Sequence, residues 1–331
     1  MTDNRDIAHI GYHDLLLALA GVGRAKLPEL MHSTAILGSL TATAAEQLGL
    51  PAGIPVVAGT TDSQSAAIGA GAVEDYAAHL YVGTSSWISC HVPFKKTDLF
   101  HNMAALPSAV PGRYYIGNEQ ECAGVCLTFL RDNLFYPKDA LTGAVPPADA
   151  YQIFDRLADS VPAGSDRVIF TPWLYGERTP IEDHAVRGGF FNVSLKTERA
   201  HLVRAVFEGV AYNSRWLLQC VERFFRRRLD GLNMIGGGAK SDVWCQVFAD
   251  VLDRPIRQVR GPLQANARGA GFVAAVALGR LSFADVPSRV AIATTFHPDP
   301  KNRKIYDELF QEFLSIYKNN GRAYARLNRI R

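Results

Sequence analysis

The residues best suited to chemistry lie within positions 55–87, PVVAGTTDSQSAAIGAGAVEDYAAHLYVGTSSW. Asp62 follows a short apolar strand, read at 56–58 and broken by Gly59-Thr60-Thr61. Further on, Gly83-Thr84-Ser85-Ser86 makes a tight turn between strands read at 77–82 and 87–92. A carboxylate at a strand end can take the proton of an incoming hydroxyl. A Gly-Thr-Ser turn offers backbone N–H donors to phosphate oxygens. Together they suit phosphoryl transfer. The same residues also read as a helix cap and a hairpin glycine, and local pattern does not separate the two readings.

A second glycine-rich stretch supports the chemical reading. A strand at 232–235 runs into Gly236-Gly237-Gly238-Ala239-Lys240-Ser241 and then a helix at 243–252. Strand, glycines and helix N-terminus make a nucleotide site, because bare backbone lets a flat base or ribose approach closely. The run is neither the GxxxxGKS phosphate loop nor GxGxxG, so those two folds lose weight. Gly124 falls inside a helix read at 119–133, where a glycine costs about 1 kcal/mol against alanine and points to close packing or a ligand on the helix. Residues 172–191 form a long irregular stretch carrying Glu177, Arg178, Glu182, Asp183, His184 and Arg187. Such stretches are often functional; a surface loop with mutually paired charges is the plain alternative.

The elements that must hold these residues follow from periodicity. Helices are expected at 12–20 and 40–48, the second with Thr43 and Glu46 as a capping box. Residues 63–71 are almost all small, which suits a helix packed very close to its neighbour. Residues 93–112 read as loop, 113–116 as strand, 142–147 as a Gly/Pro linker, 148–158 as helix and 167–171 as strand. Thr197 is expected to cap the longest helix, running to Arg227 with an apolar face through Leu202, Val206, Val210, Leu217, Val221 and Phe224. A strand at 255–259, a small-residue helix at 265–278 and a charged amphipathic helix at 302–329 complete the reading.

The totals bound the function. A chain of 331 residues suggests about two domains. Lys plus Arg number 35 against 32 Asp plus Glu, so neither nucleic acid nor an anionic membrane is an expected partner. No apolar run approaches the roughly 18 residues of a membrane span, and the N-terminus lacks an apolar signal core. Five scattered cysteines give poor disulfide arithmetic and fit a reducing cytoplasm. Cys122 and Cys126 lie four apart without a matching Cys/His pair, so buried thiols are expected and no metal site.

Four motifs, in order, resemble the FGGY carbohydrate kinases, nearest to their xylulokinase-like members. They are Gly83-Thr84-Ser85, Tyr175-Gly176-Glu177-Arg178-Thr179-Pro180, the block GGFFNVSLKTERAHLVRAVFEG at 188–209, and GGGAKS at 236–241. The resemblance implies an α/β fold of the RNase H-like, actin-like ATPase type, with substrates between two domains. It implies ATP and Mg²⁺ as cofactors and a sugar as substrate. It also implies that Asp62 is the base for the sugar hydroxyl and that Gly83, Thr84 and Ser85 form a phosphate hairpin. By the same likeness Gly124 lies near the nucleotide, Gly237 and Gly238 line adenosine, and Asp242 contacts ribose or base. Thr61 and Gln64, flanking Asp62, are candidate sugar contacts. Asn192 departs from the family, standing where many members carry glycine.

The family's opening Asp-x-Gly-Thr phosphate loop is not found ahead of Asp62. The expectation is therefore a C-terminal two thirds of such a kinase. Residues 1–75 would be the remnant of the first domain, 76–279 the nucleotide-binding domain and 280–331 a helical tail. A homo-oligomer, or association with a separate first-domain half, is the expected assembly. A non-catalytic nucleotide-binding or interaction protein is the alternative from a different class.

Overall fold

The computed structural model describes residues 1–139 and 145–328. The linker expected at 142–147 and the last residue of the terminal helix fall partly outside that set. The chain opens with a small antiparallel pair, β1 (Thr2–Asp3) and β2 (Gly11–Tyr12), then α1 (Asp14–Leu19). β3 (Ile36–Ser39) and β4 (Pro55–Val57) pair antiparallel across α2 (Ala42–Leu48), and α3 (Asp62–Gly69) follows. Then come β5 (Ala78–Val82), β6 (Ser86–Ser89), β7 (His91–Val92), β8 (Thr97–Asp98), β9 (Met103–Pro107) and β10 (Tyr114–Gly117). The middle of the chain holds α4 (Gly124–Phe129), α5 (Ala150–Asp159), β11 (Ile169–Thr171), β12 (Gly189–Phe191) and the long α6 (Arg199–Phe225). The rest is β13 (Leu232–Ile235), α7 (Asp242–Leu252), β14 (Ile256–Val259), α8 (Ala265–Ala277), α9 (Val286–Arg289), β15 (Ile292–Phe296) and α10 (Arg303–Leu327).

The central sheet has five strands in the order β15-β14-β13-β5-β6, with β5, β13 and β14 parallel and the two edge strands antiparallel to them. Side chains alternate across it, as the period of two requires. Leu80, Val82, Met234 and Ile256 enter the larger core, beneath α6 and α7. Trp87, Ile235 and Val259 enter the smaller one with α3 and α8, and Tyr81 packs against it. Fully burying a side chain of this size contributes about 1.5–3 kcal/mol. The terminal helix α10 adds Tyr306, Leu309, Phe310 and Phe313 to the larger core.

Several local expectations are corrected. α2 is capped by Thr41, whose hydroxyl accepts from the Ala44 N–H at 3.3 Å, not by Thr43. α6 starts one residue later than Thr197 would set it. Glu198 is the cap, with His201 Nδ1 accepting the Glu198 N–H at 3.1 Å, while the Thr197 hydroxyl accepts the Ser194 N–H. α6 ends at Phe225, because Arg226 turns left-handed at φ 55°. The loop read at 93–112 contains β8 and β9, which complete a four-stranded antiparallel sheet ordered β7-β10-β9-β8.

The helix read at 119–133 begins only at Gly124 and ends in a π-helical turn, Leu130–Phe135. Gln120 instead bridges to Ser86. Gly124 is therefore the first helical residue, not a mid-helix one. Asn192, which departs from the glycine that the resemblance would put there, takes φ 64° and donates its side-chain N–H to the Arg167 carbonyl at 3.1 Å. Asparagine is among the few non-glycine residues that tolerate that region.

Candidate active site

The cleft opens where β5 and β13 end side by side, Ile235 opposite Tyr81. Carboxyl ends of parallel strands are where open α/β sheets bind ligands. After β5 the chain turns through Gly83-Thr84-Ser85, with the Gly83 N–H donating to Ser85 O at 2.9 Å. The start of α4 is bonded to this tip. The Gly124 N–H donates to Gly83 O at 2.7 Å and the Ala123 N–H to Thr84 O at 2.8 Å. A Cβ on Gly124 would lie 2.6 Å from Gly83 O, so only glycine permits this approach. After β13, Gly236 (φ 90°) and Gly238 press on Val82, where a Cβ would meet it at 2.5 and 2.6 Å. Gly237 has open space on its Cβ side.

These segments enclose a cleft of about 730 Å³. Gly83, Thr84, Gly124, Gly237 and Gly238, all named from sequence, line it. Tyr81, Tyr151, Gln152 and Asp155 line it too and were not named. Asp155 Oδ1 accepts the Ser241 hydroxyl at 2.6 Å, and burial pushes its carboxyl above the ordinary range. Ser241 also caps α7 by accepting the Trp244 N–H at 3.0 Å. Asp242 stands apart from the lining, and its carboxylate accepts from Gln258 Nε2 at 2.8 Å. Ser85 is not among the residues that line the cleft, and its hydroxyl donates to Glu119 Oε1 at 3.1 Å.

Asp62 is the first residue of α3, exposed, with Oδ1 accepting the N–H of Ser63 at 2.7 Å. A carboxylate there also suits the positive end of the helix dipole. Its backbone carbonyl accepts Asn266 Nδ2 of α8 at 3.3 Å. The Thr61 hydroxyl lies 3.3 Å from that of Ser63. Gln64 is turned inward, its amide donating to Pro107 O at 2.9 Å and accepting the Ala109 N–H at 2.7 Å. Both ends of that side chain tie down the end of β9. Gln64 is thus separated from Thr61 and Asp62.

The irregular stretch after β11 pairs its charges internally, yet it is not all surface. Arg178 bridges Glu119 at 2.6 Å and Glu121 at 2.6 Å. Glu177 is buried and accepts from the N–H groups of Glu121 (3.0 Å) and Arg178 (2.8 Å) and from Asn213 Nδ2 (2.5 Å). Burial pushes its carboxyl up to about 7, against the pull of those donors. Among the described residues, no group of three or more His, Cys, Asp or Glu side chains is arranged to hold a metal. All five cysteines are buried and unpaired. No described helix is long and apolar enough to cross a membrane.

A model of the FGGY family of carbohydrate kinases, C-terminal domain, matches residues 78–278, and that of the N-terminal domain matches 2–69. A xylulose kinase of Staphylococcus epidermidis is 29% identical over 303 residues, spanning 91% of this chain and 58% of its own length. A gluconokinase of Bacillus licheniformis is 26% identical over 319 residues, 96% of this chain and 62% of its own. Among solved structures, xylulose kinase from Rhodospirillum rubrum superposes with a TM-score of 0.80 at 30% identity, covering 95% of this chain and 61% of that one. Glycerol kinase from Plasmodium falciparum with ADP shares the fold, with a TM-score of 0.76 at 19% identity over 94% of this chain and 60% of that one. The chain thus spans about three fifths of the length of these proteins. Its mixed α/β architecture is that of the actin-like ATPase fold these kinases share. With its C-terminal domain model covering most of the sequence, the chain belongs to the FGGY family of carbohydrate kinases.

Proposed function

We propose that this chain serves the ATP-dependent phosphorylation of a sugar hydroxyl, with a xylulose-like ketose as acceptor and Mg²⁺ brought in by the nucleotide phosphates. One observation carries the reading: backbone at Gly83-Thr84, Gly124 and Gly237-Gly238 converges on one cleft. Adenosine fits along Gly237 and Gly238, and the phosphates reach the hairpin tip. The N–H and hydroxyl of Thr84 have no protein acceptor among the described residues and are free to meet phosphate oxygens. Asp62 then takes the proton of the sugar hydroxyl as it attacks the γ-phosphorus. General-base assistance is worth roughly 10²–10⁴-fold, and positioning with charge stabilisation supplies the rest. A cation held chiefly by phosphates needs only one or two protein carboxylates. Asp62, exposed and with only Oδ1 engaged by a protein N–H, is of the right kind. A reducing cytoplasm fits the five unpaired thiols.

A second reading, nucleotide binding without turnover, is favoured by one feature. Asp62 lies outside the cleft lining, and Oδ1 is engaged by its neighbour's N–H. A coupled ADP-release assay with ATP, Mg²⁺ and a sugar panel headed by D-xylulose decides, run beside calorimetric titration with ADP. Sugar-dependent release supports the kinase. ADP binding with silence on every sugar supports the alternative. Asp62→Asn is expected to lower turnover by about 100-fold or more with ADP affinity intact. Full turnover in that variant removes Asp62 from the mechanism.

A further inference from the structure

The phenol of Tyr81 is not explained by the fold alone. Its hydroxyl has no hydrogen-bond partner among the described residues, although the ring is held on several sides. One face stacks on Trp87, with centroids 3.9 Å apart and planes 11° from parallel. The Trp87 indole N–H donates to His79 Nε2 at 2.9 Å, and His79 Nδ1–H donates to Ser89 O at 3.1 Å. His79 is wholly buried, and burial pulls it down to about 3, so it stays neutral and keeps this tautomer. The ring edge lies against Gly236, where a Cβ would meet Cε2 at 3.2 Å. The hydroxyl lies against Gly83, where a Cβ would come within 2.2 Å of Oη. A rigid chain, His79 to Trp87 to Tyr81, thus delivers one unpartnered O–H beside the hairpin tip, inside the cleft.

Its electrostatic surroundings locate it further. Burial, and then the carboxylates of Asp62 and Glu119, push the phenol above its ordinary range. It is protonated at any physiological pH and can only donate toward an anion. Resting on the reading of the cleft given above, what passes between Asp62 and the hairpin is the γ-phosphoryl group. We propose that Tyr81 is a further catalytic residue, its O–H donating a hydrogen bond to a nonbridging oxygen of the transferring γ-phosphoryl. The proton stays on the phenol throughout. A preorganised donor of this kind gains strength as charge develops on the equatorial oxygens.

Tyr81→Phe tests this, because it keeps the stack on Trp87 and the contacts with Gly83 and Gly236. Affinities for ADP and for the β,γ-imido analogue of ATP are measured by calorimetry in both proteins, with Mg²⁺ present. ADP should bind within about twofold of wild type. The analogue should weaken roughly tenfold, as expected for one hydrogen bond to a charged oxygen. The ³¹P resonance of the bound analogue should shift at the γ position and hold at the α position. Where sugar-dependent turnover is seen, kcat should fall by about 10²-fold. An analogue-to-ADP affinity ratio equal to that of wild type overturns the role of Tyr81 and leaves the cleft reading standing. Equal losses for ADP and the analogue also overturn it, since the phenol would then only shape the cleft. Wild-type protein that binds neither nucleotide overturns the cleft reading and Tyr81 with it.

Discussion

Glu177 is a carboxylate sealed from water yet surrounded by donors. Burial wins, and its carboxyl titrates near 7 in the fold against 4.5 for an ordinary glutamate. A raised pKa means that the folded state holds the proton longer than the unfolded chain does. The associated stability is complete below about pH 4.5 and is lost as pH rises toward 7. A difference of this size corresponds to an order of 3 kcal/mol. Melting curves of wild type and Glu177→Gln between pH 4.5 and 8 check this. The wild type should lose stability relative to the variant from pH 4.5 through about 7 and run close to parallel with it by pH 8. Parallel curves throughout would show that the group does not titrate there. The sequence placed Glu177 among loop charges but not in the interior, because the residue that seals it, Asn213, comes from α6. Tyr81 escaped notice for a related reason. A strand residue two before a glycine reads as core, and only the open cleft above it gives its hydroxyl somewhere to point.

At the scale of elements, α3 and α8 meet backbone to backbone. A Cβ on Gly69 would lie 1.8 Å from Ala265 O, and one on Gly269 would lie 1.8 Å from Ser65 O. Gly269→Ala should therefore cost several kcal/mol, about what a forced backbone shift in a packed core requires. Gly271, two residues on in α8, has open space around it, so Gly271→Ala should stabilise by up to about 1 kcal/mol. Urea denaturation reads both, and equal effects would refute the crossing. Small residues announced two closely packing helices in the sequence, but not that they pack on each other, with some 200 residues between them. The helix expected from Glu119 failed for a similar reason. Its apolar period runs on smoothly, yet Gln120 is drawn into a bridge with Ser86 and Glu119 into a pair with Arg178. Partners distant in sequence override local periodicity.

For the molecule as a whole, the strands β5, β13 and β14 and the glycines that line the cleft were legible, because strand, glycine and helix alternate plainly there, but the order in which the strands pair was not. The surface of the first 56 residues was legible in part. Its short helices leave Leu15, Leu19 and Leu48 61, 76 and 62% exposed, and every residue of β3 is exposed. Leu17 alone of the α1 leucines is buried. Apolar side chains left exposed in this number favour association. Sedimentation at rising concentration should show oligomers that Leu19→Glu with Leu48→Glu weakens; a monomer at about 100 µM would refute this.

The α3–α8 crossing bears on this larger scale as well. Helices that interlock through side chains slide only by jumping from one groove to the next. Where Gly69 and Gly269 meet the facing backbone there are no side chains to interlock, so a tilt there turns no rotamer at those two contacts. The hydrogen bonds from Asn266 to Asp62 O and from Arg268 to Gly69 O limit how far it goes. Asp62 stands seven residues from Gly69, about 10 Å along the helix axis at 1.5 Å per residue. A tilt of about 10° at the joint then swings the carboxylate by nearly 2 Å, a distance that matters for the proposed base. On the proposal that Asp62 is the base, the smallest side chains in the protein thus bear on the reach of its carboxylate.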